Sequence, residues 1–461
     1  MTVGSELEGQ LLAALCQAHN APAPGARSLP VLTGLYPGGR FSVPQDNVIL
    51  AAAQILSDGG RVYLYGNGVF LEAEAPDGTG LTLKPLTTGA GVEAGAEDLL
   101  ANLFRCQDAR GEFPVPRWFA EVLLRCDLLA PRLPRVAHHA RRPVFDADFV
   151  LRGPGWHPGP GILVHGPGVE PAPAHEFDLE VPAVERLPQR LRTLLGGFCF
   201  RGDADVANAV AMLLTGLLAN RFVRETKPVF LIDGNQPGLG KTLLARVAAV
   251  VLDGAETKVV RFTPDEEELQ KTLCAALREG GSVLLIDNAK VVGGGAVSSP
   301  TVESATTAPE ISLRILGTSS LYSRPNDVLW MVTMNDTRTS PDLVSRGVAI
   351  QMYFEGDPRN RTFACPDPVR YAREHRLAIL GELAGMVVRW NQAGRPDGLR
   401  PHRCREWGTV VGGILELAGL PEFLGNADEA AASFDVALEE LAALAEAVIE
   451  HGLDPDTDDE E

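Results

Sequence analysis

From about Val184 onward, apolar positions follow two alternating rhythms. Asp205 to Phe222 has helical spacing, Val229 to Ile232 is a short apolar strand between Pro228 and Gly234, and Thr242 to Leu252 is an apolar helix closed by Gly254. The alternation continues with a strand at Lys258 to Phe262, a helix at Asp265 to Arg278, and strands at Val283 to Asp287, Val328 to Met334 and Val348 to Tyr353. Helices between fully apolar strands predict an α/β fold, a parallel sheet covered on both faces. Helical segments near Val369 to Trp390 and Arg405 to Ala418 follow. A last helix, Glu429 to Glu450, places Phe434, Leu438, Leu441, Leu444 and Val448 on or near one face and stops at Gly452.

The first part of the chain is patterned differently. Leu7 to His19 and Asn47 to Ser57 have helical spacing, and Arg61 to Ala75 reads as a hairpin turning at Gly66-Asn67-Gly68. Pro and Arg then dominate Leu129 to Pro143, and six prolines among many glycines between Pro154 and Pro173 predict turns and short strands linking two domains. The expected organisation is an α+β accessory domain over 1–130, a Pro/Gly-rich connection over 131–185, an α/β core over 186–360, a helical subdomain over 361–420, and an acidic amphipathic helix with tail over 421–461. The 461 residues accommodate this, since domains average roughly 150 residues.

Some chemistries are disfavoured early. Five histidines, His138, His139, His157, His165 and His175, are irregularly spaced and lack acidic or cysteine company, which reads as structural rather than metal-binding. The seven cysteines, Cys16, Cys106, Cys126, Cys199, Cys274, Cys365 and Cys404, are scattered without a CxxC pair and read as buried thiols. No run approaches 18 apolar residues and the N-terminus lacks a basic segment followed by an apolar one, so the expectation is a cytoplasmic protein with no membrane partner.

The strongest chemical signal is Phe230 to Thr242, FLIDGNQPGLGKT, a strand, a Gly-rich turn and a helix start. Such a turn cradles phosphates with backbone N–H groups at the positive end of a helix, its lysine reaches the β and γ phosphates, and its hydroxyl ligates magnesium. Asn235, Gln236, Pro237, Gly238, Leu239, Gly240, Lys241 and Thr242 are therefore the candidate nucleotide-binding residues, with ATP and Mg2+ as ligands. Asn235 stands where the pattern wants glycine, and the turn is expected to survive because Asn tolerates a left-handed backbone. Only six of the 41 basic residues are lysines, so a Gly-Lys-Thr triplet carries more weight here than in a lysine-rich chain. Gly281-Ser-Val-Leu-Leu-Ile-Asp287-Asn288 is an apolar strand ending in a carboxylate suited to the magnesium shell. The strand Val328 to Asn335 delivers Asn335 to the ligand end of the sheet, where it can orient a water. Ser340 and Pro341 start a short helix that brings Arg346 just before the last core strand, a place from which an arginine reaches a neighbouring subunit's nucleotide.

Together these residues resemble a family. Residues Phe230 to about Leu420 are similar to the AAA+ ATPase domain of superfamily 3-like helicases in phage, plasmid and integrated-element replication proteins, whose relatives carry a fused primase-polymerase. The matching stretches are DGNQPGLGKTLLA (Asp233 to Ala245), FTPDEEELQKTL (Phe262 to Leu273), LLIDNAK (Leu284 to Lys290), LRILGTSS (Leu313 to Ser320), WMVTMND (Trp330 to Asp336), SPDLVSRG (Ser340 to Gly347) and RTFACPDPVRYAREHR (Arg361 to Arg376). PVFDADFVLRGPGWHPGPGILV (Pro143 to Val164) resembles the segment before the ATPase in such proteins. The resemblance implies ATP hydrolysis by a ring, most often a hexamer, translocating on single-stranded DNA. It gives Lys241 and Thr242 to phosphate and magnesium, Asp287 to magnesium, Asn335 to the sensor, and Arg346 to the finger. It makes Arg314 to Arg324 a channel hairpin, with Lys290, Arg314, Tyr322 and Arg324 as DNA contacts, although Gly317 to Ser320 at its tip lack lysine. Two departures stand out. Asn288 occupies the usual place of a catalytic glutamate, leaving water to be oriented by Asn288 and Asn335. Residues 1–185 show no acidic metal-binding pattern of a primase, so polymerase activity is not expected. A second reading is an ATP-switched assembly protein with weak hydrolysis.

Charge bears on the DNA expectation. The net charge is −19, apportioned as −8 over residues 1–185, +3 over 186–420 and −14 over 421–461. The ATPase-like part is slightly basic, so a DNA grip has to come from a few converging residues. The acidic C-terminal tail suits a replication or primase partner, or mimicry of DNA.

Overall fold

The computed structural model describes residues 29–33, 46–75, 80–88, 95–108, 111–289, 297–315, 321–335, 339–361, 363 and 365–434. The expected helix Leu7 to His19, the residues of the last helix beyond Phe434, Lys290 and the hairpin tip lie outside them. Contacts divide the chain into two compact units, residues 1–75 with 81–137, and residues 76–80 with 138–461.

The first unit is α+β. Strands Val62–Tyr65 and Gly68–Glu74 form the hairpin read from the sequence, with Gly66 at φ 59° in the turn. Leu81–Pro85 and Arg135–Val136 extend it to four strands. A smaller sheet joins Val31–Thr33, Arg105–Asp108 and Gly111–Phe113. Helices Asp46–Asp58, Ala96–Ala101 and Arg117–Arg125 supply much of the core, where Ala53, Leu56, Leu100, Phe119 and Leu123 are fully buried.

The second unit is built on five parallel strands: β1 (Val229–Gly234), β2 (Val259–Arg261), β3 (Val283–Ala289), β4 (Leu329–Met334) and β5 (Gly347–Met352), in the order β2-β3-β4-β1-β5. Every residue of β1 and β4 is buried, which is why Val229 to Ile232 and Leu329 to Val332 read as unbroken apolar runs. The covering helices include α1 (Asp203–Leu218), α2 (Lys241–Asp253), α3 (Glu266–Arg278), α4 (Pro341–Arg346), α5 (Pro368–Glu374), α6 (Arg376–Gln392) and α7 (Arg405–Leu417). Their ends follow local chemistry. Gly254 terminates α2 at φ 75°, and the Asp265 carboxylate caps α3 by accepting from the amides of Glu267 and Glu268. Ser340 caps α4 through the Leu343 amide, with Pro341 in the first turn as its sequence indicates.

From His138 onward, the segment read as a connection belongs to this second unit. Strands His138–Ala140, Gly155–His157 and Ile162–Val164 form a small sheet. The fully buried Arg142 guanidinium donates to the Gly216 carbonyl of α1, to Asp253 at the end of α2 and to the Ser282 hydroxyl beside β3. Phe145 and Phe149 join the core cluster that also holds α1, the sheet and α7. The histidines have protein partners: His138 Nδ1 lies 3.0 Å from Asp327 Oδ2, His139 Nε2 3.0 Å from His165 Nδ1, and His157 and His175 contact the Gly153 and Arg186 carbonyls. No helix of the described residues is long and apolar enough to cross a membrane.

Candidate nucleotide site

The Gly-rich turn sits at the carboxyl end of β1 and feeds directly into α2. Gly234 has no room for a side chain: a Cβ there would lie 2.8 Å from Leu239 Cδ1 and 2.9 Å from the Met352 carbonyl. The reversal is made by Gly238 at φ 83° and Gly240 at φ 101°, both left-handed. Asn235 departs from expectation, because it is not among the described non-glycine residues with positive φ. Its side chain instead pairs with the backbone of Phe354, accepting from its amide at 3.3 Å and donating to its carbonyl at 3.2 Å. Gln236 Nε2 adds bonds to the Phe354 and Gly356 carbonyls at 2.7 and 3.0 Å. Asparagine is thus accommodated by tying the start of the turn to the chain leaving β5, not by a left-handed backbone.

Lys241 is buried, and its Nζ donates to the Gln236 carbonyl at 2.9 Å, inside the turn. Burial pulls its pKa below the usual lysine range, opposed by the Asp233 carboxylate. Thr242 Oγ1 donates to Asp287 Oδ1 at 2.7 Å. Asp287 reaches this position because the β3–β4 register shifts between Ile286 and Ala289, a bulge that re-aims side chains at the strand end. Asn288, in that bulge, adopts φ 56° and is exposed. Asn335 Nδ2 donates to Asn288 Oδ1 at 3.2 Å.

Thr333 completes the cluster and is absent from the sequence reading. Its hydroxyl donates to Asp287 Oδ1 at 2.6 Å and accepts the Asn288 amide at 2.9 Å. The available signal was period two along β4, which puts Thr333 on the same strand face as Asn335. Lys241, Thr242, Asp287, Asn288, Thr333 and Asn335 line one cleft of about 430 Å³ together with the turn from Pro237 to Gly240. A helix start with free amide donors and a lysine suits an anion. A hydroxyl and a carboxylate side by side are the hard oxygen donors from which magnesium takes one or two protein ligands, so these residues fit that ion.

The other predicted residues lie elsewhere. Arg346, at the end of α4, does not line the cleft; its guanidinium donates to the Glu303 carbonyl at 2.9 Å and pairs with Asp342 at 2.8 Å. Arg314 is exposed at the end of strand Glu310–Arg314, which pairs antiparallel with Leu321–Pro325. Tyr322 and Arg324, expected as DNA contacts, lie in the interior instead. Both are buried, with Tyr322 Oη donating to the Leu277 carbonyl at 3.1 Å and Arg324 donating to the Leu277 and Gly281 carbonyls and to Asp327. They anchor the hairpin to the end of α3 and have no surface to offer nucleic acid.

A second cavity adjoins the first at Gly238, Leu239, Gly240 and Leu243. Arg361 frames it, donating to the Leu239 and Gly197 carbonyls at 2.9 and 2.8 Å, with its guanidinium 4.8 Å from the Phe363 ring centre.

No protein-family model matches the chain, and no curated protein does. Among solved structures, the chain is similar to the apo NrS-1 C-terminal region (residues 305–718), at 11% identity and TM-score 0.37, over 73% of this chain and 69% of that one. It is also similar to JCV helicase, at 17% identity and TM-score 0.23, over 56% of this chain and 75% of that one. A JCV helicase bound to a small molecule aligns at 16% identity, TM-score 0.25, over 56% of this chain and 76% of that one.

Proposed function

We propose that the chain is a magnesium-dependent ATPase of the superfamily 3-like AAA+ type that works as a hexameric ring on single-stranded DNA. The observation that carries the reading is the cluster Lys241, Thr242, Asp287, Thr333, Asn288 and Asn335 around the Gly-rich turn. Lys241 gives up the Gln236 carbonyl to pair with phosphate oxygens, and the α2 amides hold the remaining charge. Thr242 and Asp287 hold the magnesium ion, which neutralises charge on the phosphates when bound. The Asn288 and Asn335 amides, already joined, orient the attacking water from the open side of the cleft. Neither amide is a base, so the chemical step rests on electrostatics and positioning and is slow.

Arg346 completes a neighbour's site by leaving Asp342 and the Glu303 carbonyl. DNA contact falls to Arg314, and to Lys290 outside the described residues. The test is hydrolysis with and without single-stranded DNA, measured beside the mass of the assembly. Stimulation by DNA and its loss in Lys241→Ala are expected, and unaltered activity in that variant overturns the assignment. The second reading, an ATP-switched assembly protein, is favoured by one observation: Asp287 is the sole carboxylate among the described residues lining the cleft. ATP-dependent assembly without strand separation distinguishes it.

A further inference from the structure

Leu239 stands between the two left-handed glycines of the turn, Gly238 at φ 83° and Gly240 at φ 101°. Glycine on both sides leaves this part of the backbone many directions to choose from, so something outside the turn has to select one. The Leu239 carbonyl is where that selection is made. It accepts Arg361 Nη1 at 2.9 Å and the Cys199 thiol at 3.8 Å. Arg361 Nη2 donates to the Gly197 carbonyl at 2.8 Å, and the guanidinium carbon lies 4.8 and 5.6 Å from the Phe363 and Phe354 ring centres. One planar fork therefore spans two main-chain carbonyls. The same stretch of chain touches the turn twice more: the Phe354 and Gly356 carbonyls hold Gln236 Nε2, and Pro358 Cβ lies 3.6 Å from where a side chain on Gly238 would start.

Peptide planarity carries this anchoring to the ligand side. In a trans peptide the C=O and the following N–H point in opposite directions. With the Leu239 carbonyl turned to Arg361, the Gly240 N–H points away from it. Gly238, Leu239 and Gly240 line both the cleft that holds Lys241 and the smaller cavity beside it, whereas Arg361 is among the described residues of the smaller cavity only. The direction away from Arg361 is thus the direction of the cleft.

We propose that Arg361 is a positioning residue for phosphate: by holding the Leu239 carbonyl it aims the Gly240 amide into the cleft, where that amide donates to a phosphate oxygen. The inference rests on the phosphate reading of the turn and adds a residue that acts on it from outside the cleft. Lysine does not replace this arginine, because an ammonium keeps the positive charge but not the rigid fork that spans two carbonyls.

The experiment uses the full chain as wild type, Arg361→Lys, Arg361→Met and Lys241→Ala. It measures magnesium-dependent ATP hydrolysis over a range of ATP concentrations, and calorimetric titration with tripolyphosphate. A hydrogen bond lost from the bound phosphates is lost from ground and transition states alike. KM and the tripolyphosphate dissociation constant are therefore expected to rise about tenfold in both Arg361 variants, with kcat and the number of binding sites kept. Structural damage alone does the reverse, lowering the active fraction, and with it apparent kcat and the number of sites, at unchanged KM. That result overturns the inference, as does a wild-type KM in Arg361→Met. Wild-type affinity in Arg361→Lys beside weakened binding in Arg361→Met shows that charge and not positioning matters, and overturns it as well. Tripolyphosphate that fails to bind the wild type, or binds Lys241→Ala equally well, overturns the phosphate reading itself and this inference with it.

Discussion

At the residue scale, Thr333 and Lys227 show how one buried polar atom sets local behaviour. The Thr333 hydroxyl fixes the Asp287 carboxylate and the Asn288 amide at once. Thr333→Val keeps the shape of the side chain and leaves that amide without its partner, at a cost of about 1 to 3 kcal/mol. Magnesium-dependent hydrolysis is expected to fall roughly tenfold in the valine variant, because the Asp287 carboxylate loses the hydroxyl that fixes it; tenfold corresponds to about 1.4 kcal/mol in the barrier. Nucleotide binding without magnesium is expected to stay unchanged, and Thr333→Ser to restore hydrolysis. Equal rates in wild type and Thr333→Val refute the role. Lys227 is fully buried, and its ammonium donates to the carbonyl and side-chain oxygens of Asn326. Burial lowers its pKa from 10.5 to about 8. Between those values the unfolded chain binds the proton and the folded chain does not, so stability rises with pH across that window and is lost as pH falls toward 8. The urea midpoint of Lys227→Met, relative to wild type, therefore declines as pH goes from 8 to 10. A constant difference would mean the ammonium is not desolvated as the burial indicates.

At the scale of elements, the contrast between β1 and the hairpin explains what the sequence made legible. Strands buried on both faces are written as unbroken apolar runs, and a Gly-rich turn followed by a helix has its own spelling, so β1, the turn and α2 are readable together. The strand Leu321–Pro325 contains Tyr322, Ser323 and Arg324, which look like surface residues, yet this strand packs on the end of α3 and all three are buried. No periodicity reveals that a guanidinium will be paired inside with Asp327. Arg361 is similarly unreadable, because its partners are main-chain carbonyls far away in sequence. The hairpin's two arginines should accordingly behave as opposites. Arg324→Met leaves the buried Asp327 carboxylate without its guanidinium, which destabilises by about 3 to 5 kcal/mol. Arg314→Ala, on an exposed side chain, leaves the denaturation midpoint unaltered and weakens single-stranded DNA binding. A stable Arg324→Met protein with impaired DNA binding would instead return Arg324 to the ligand surface.

Across the whole molecule, one core runs from Phe145 to Leu424 and takes in the segment after His138, the parallel sheet and the C-terminal helices. Trp407 of α7 packs on Phe230 of β1 and donates to the Thr215 hydroxyl of α1, so the helices after the sheet share the core of the strand that carries the Gly-rich turn. The compositional break at Leu129 to Pro143 marks the change of unit, but proline and glycine content says nothing about which unit the following residues join. Side-chain packing decides it, through Phe145, Phe149 and Arg142. Two fragments separate these readings. Residues 138–461 keep all three side chains and are expected to fold cooperatively and bind nucleotide as the full chain does. Residues 186–461 lose the Arg142 partner of the nearly buried Asp253, itself bonded to Ser282, and also lose two large aromatic side chains from the core. Removing one partner of a buried pair costs about 3 to 5 kcal/mol, and each core aromatic about the same, which together reach the whole stability of an ordinary domain. The shorter fragment is therefore expected to be unfolded or aggregated, as read by far-ultraviolet circular dichroism and sedimentation. A shorter fragment that folds and binds nucleotide with the affinity of the longer one would show that residues 138–185 are only a connection after all.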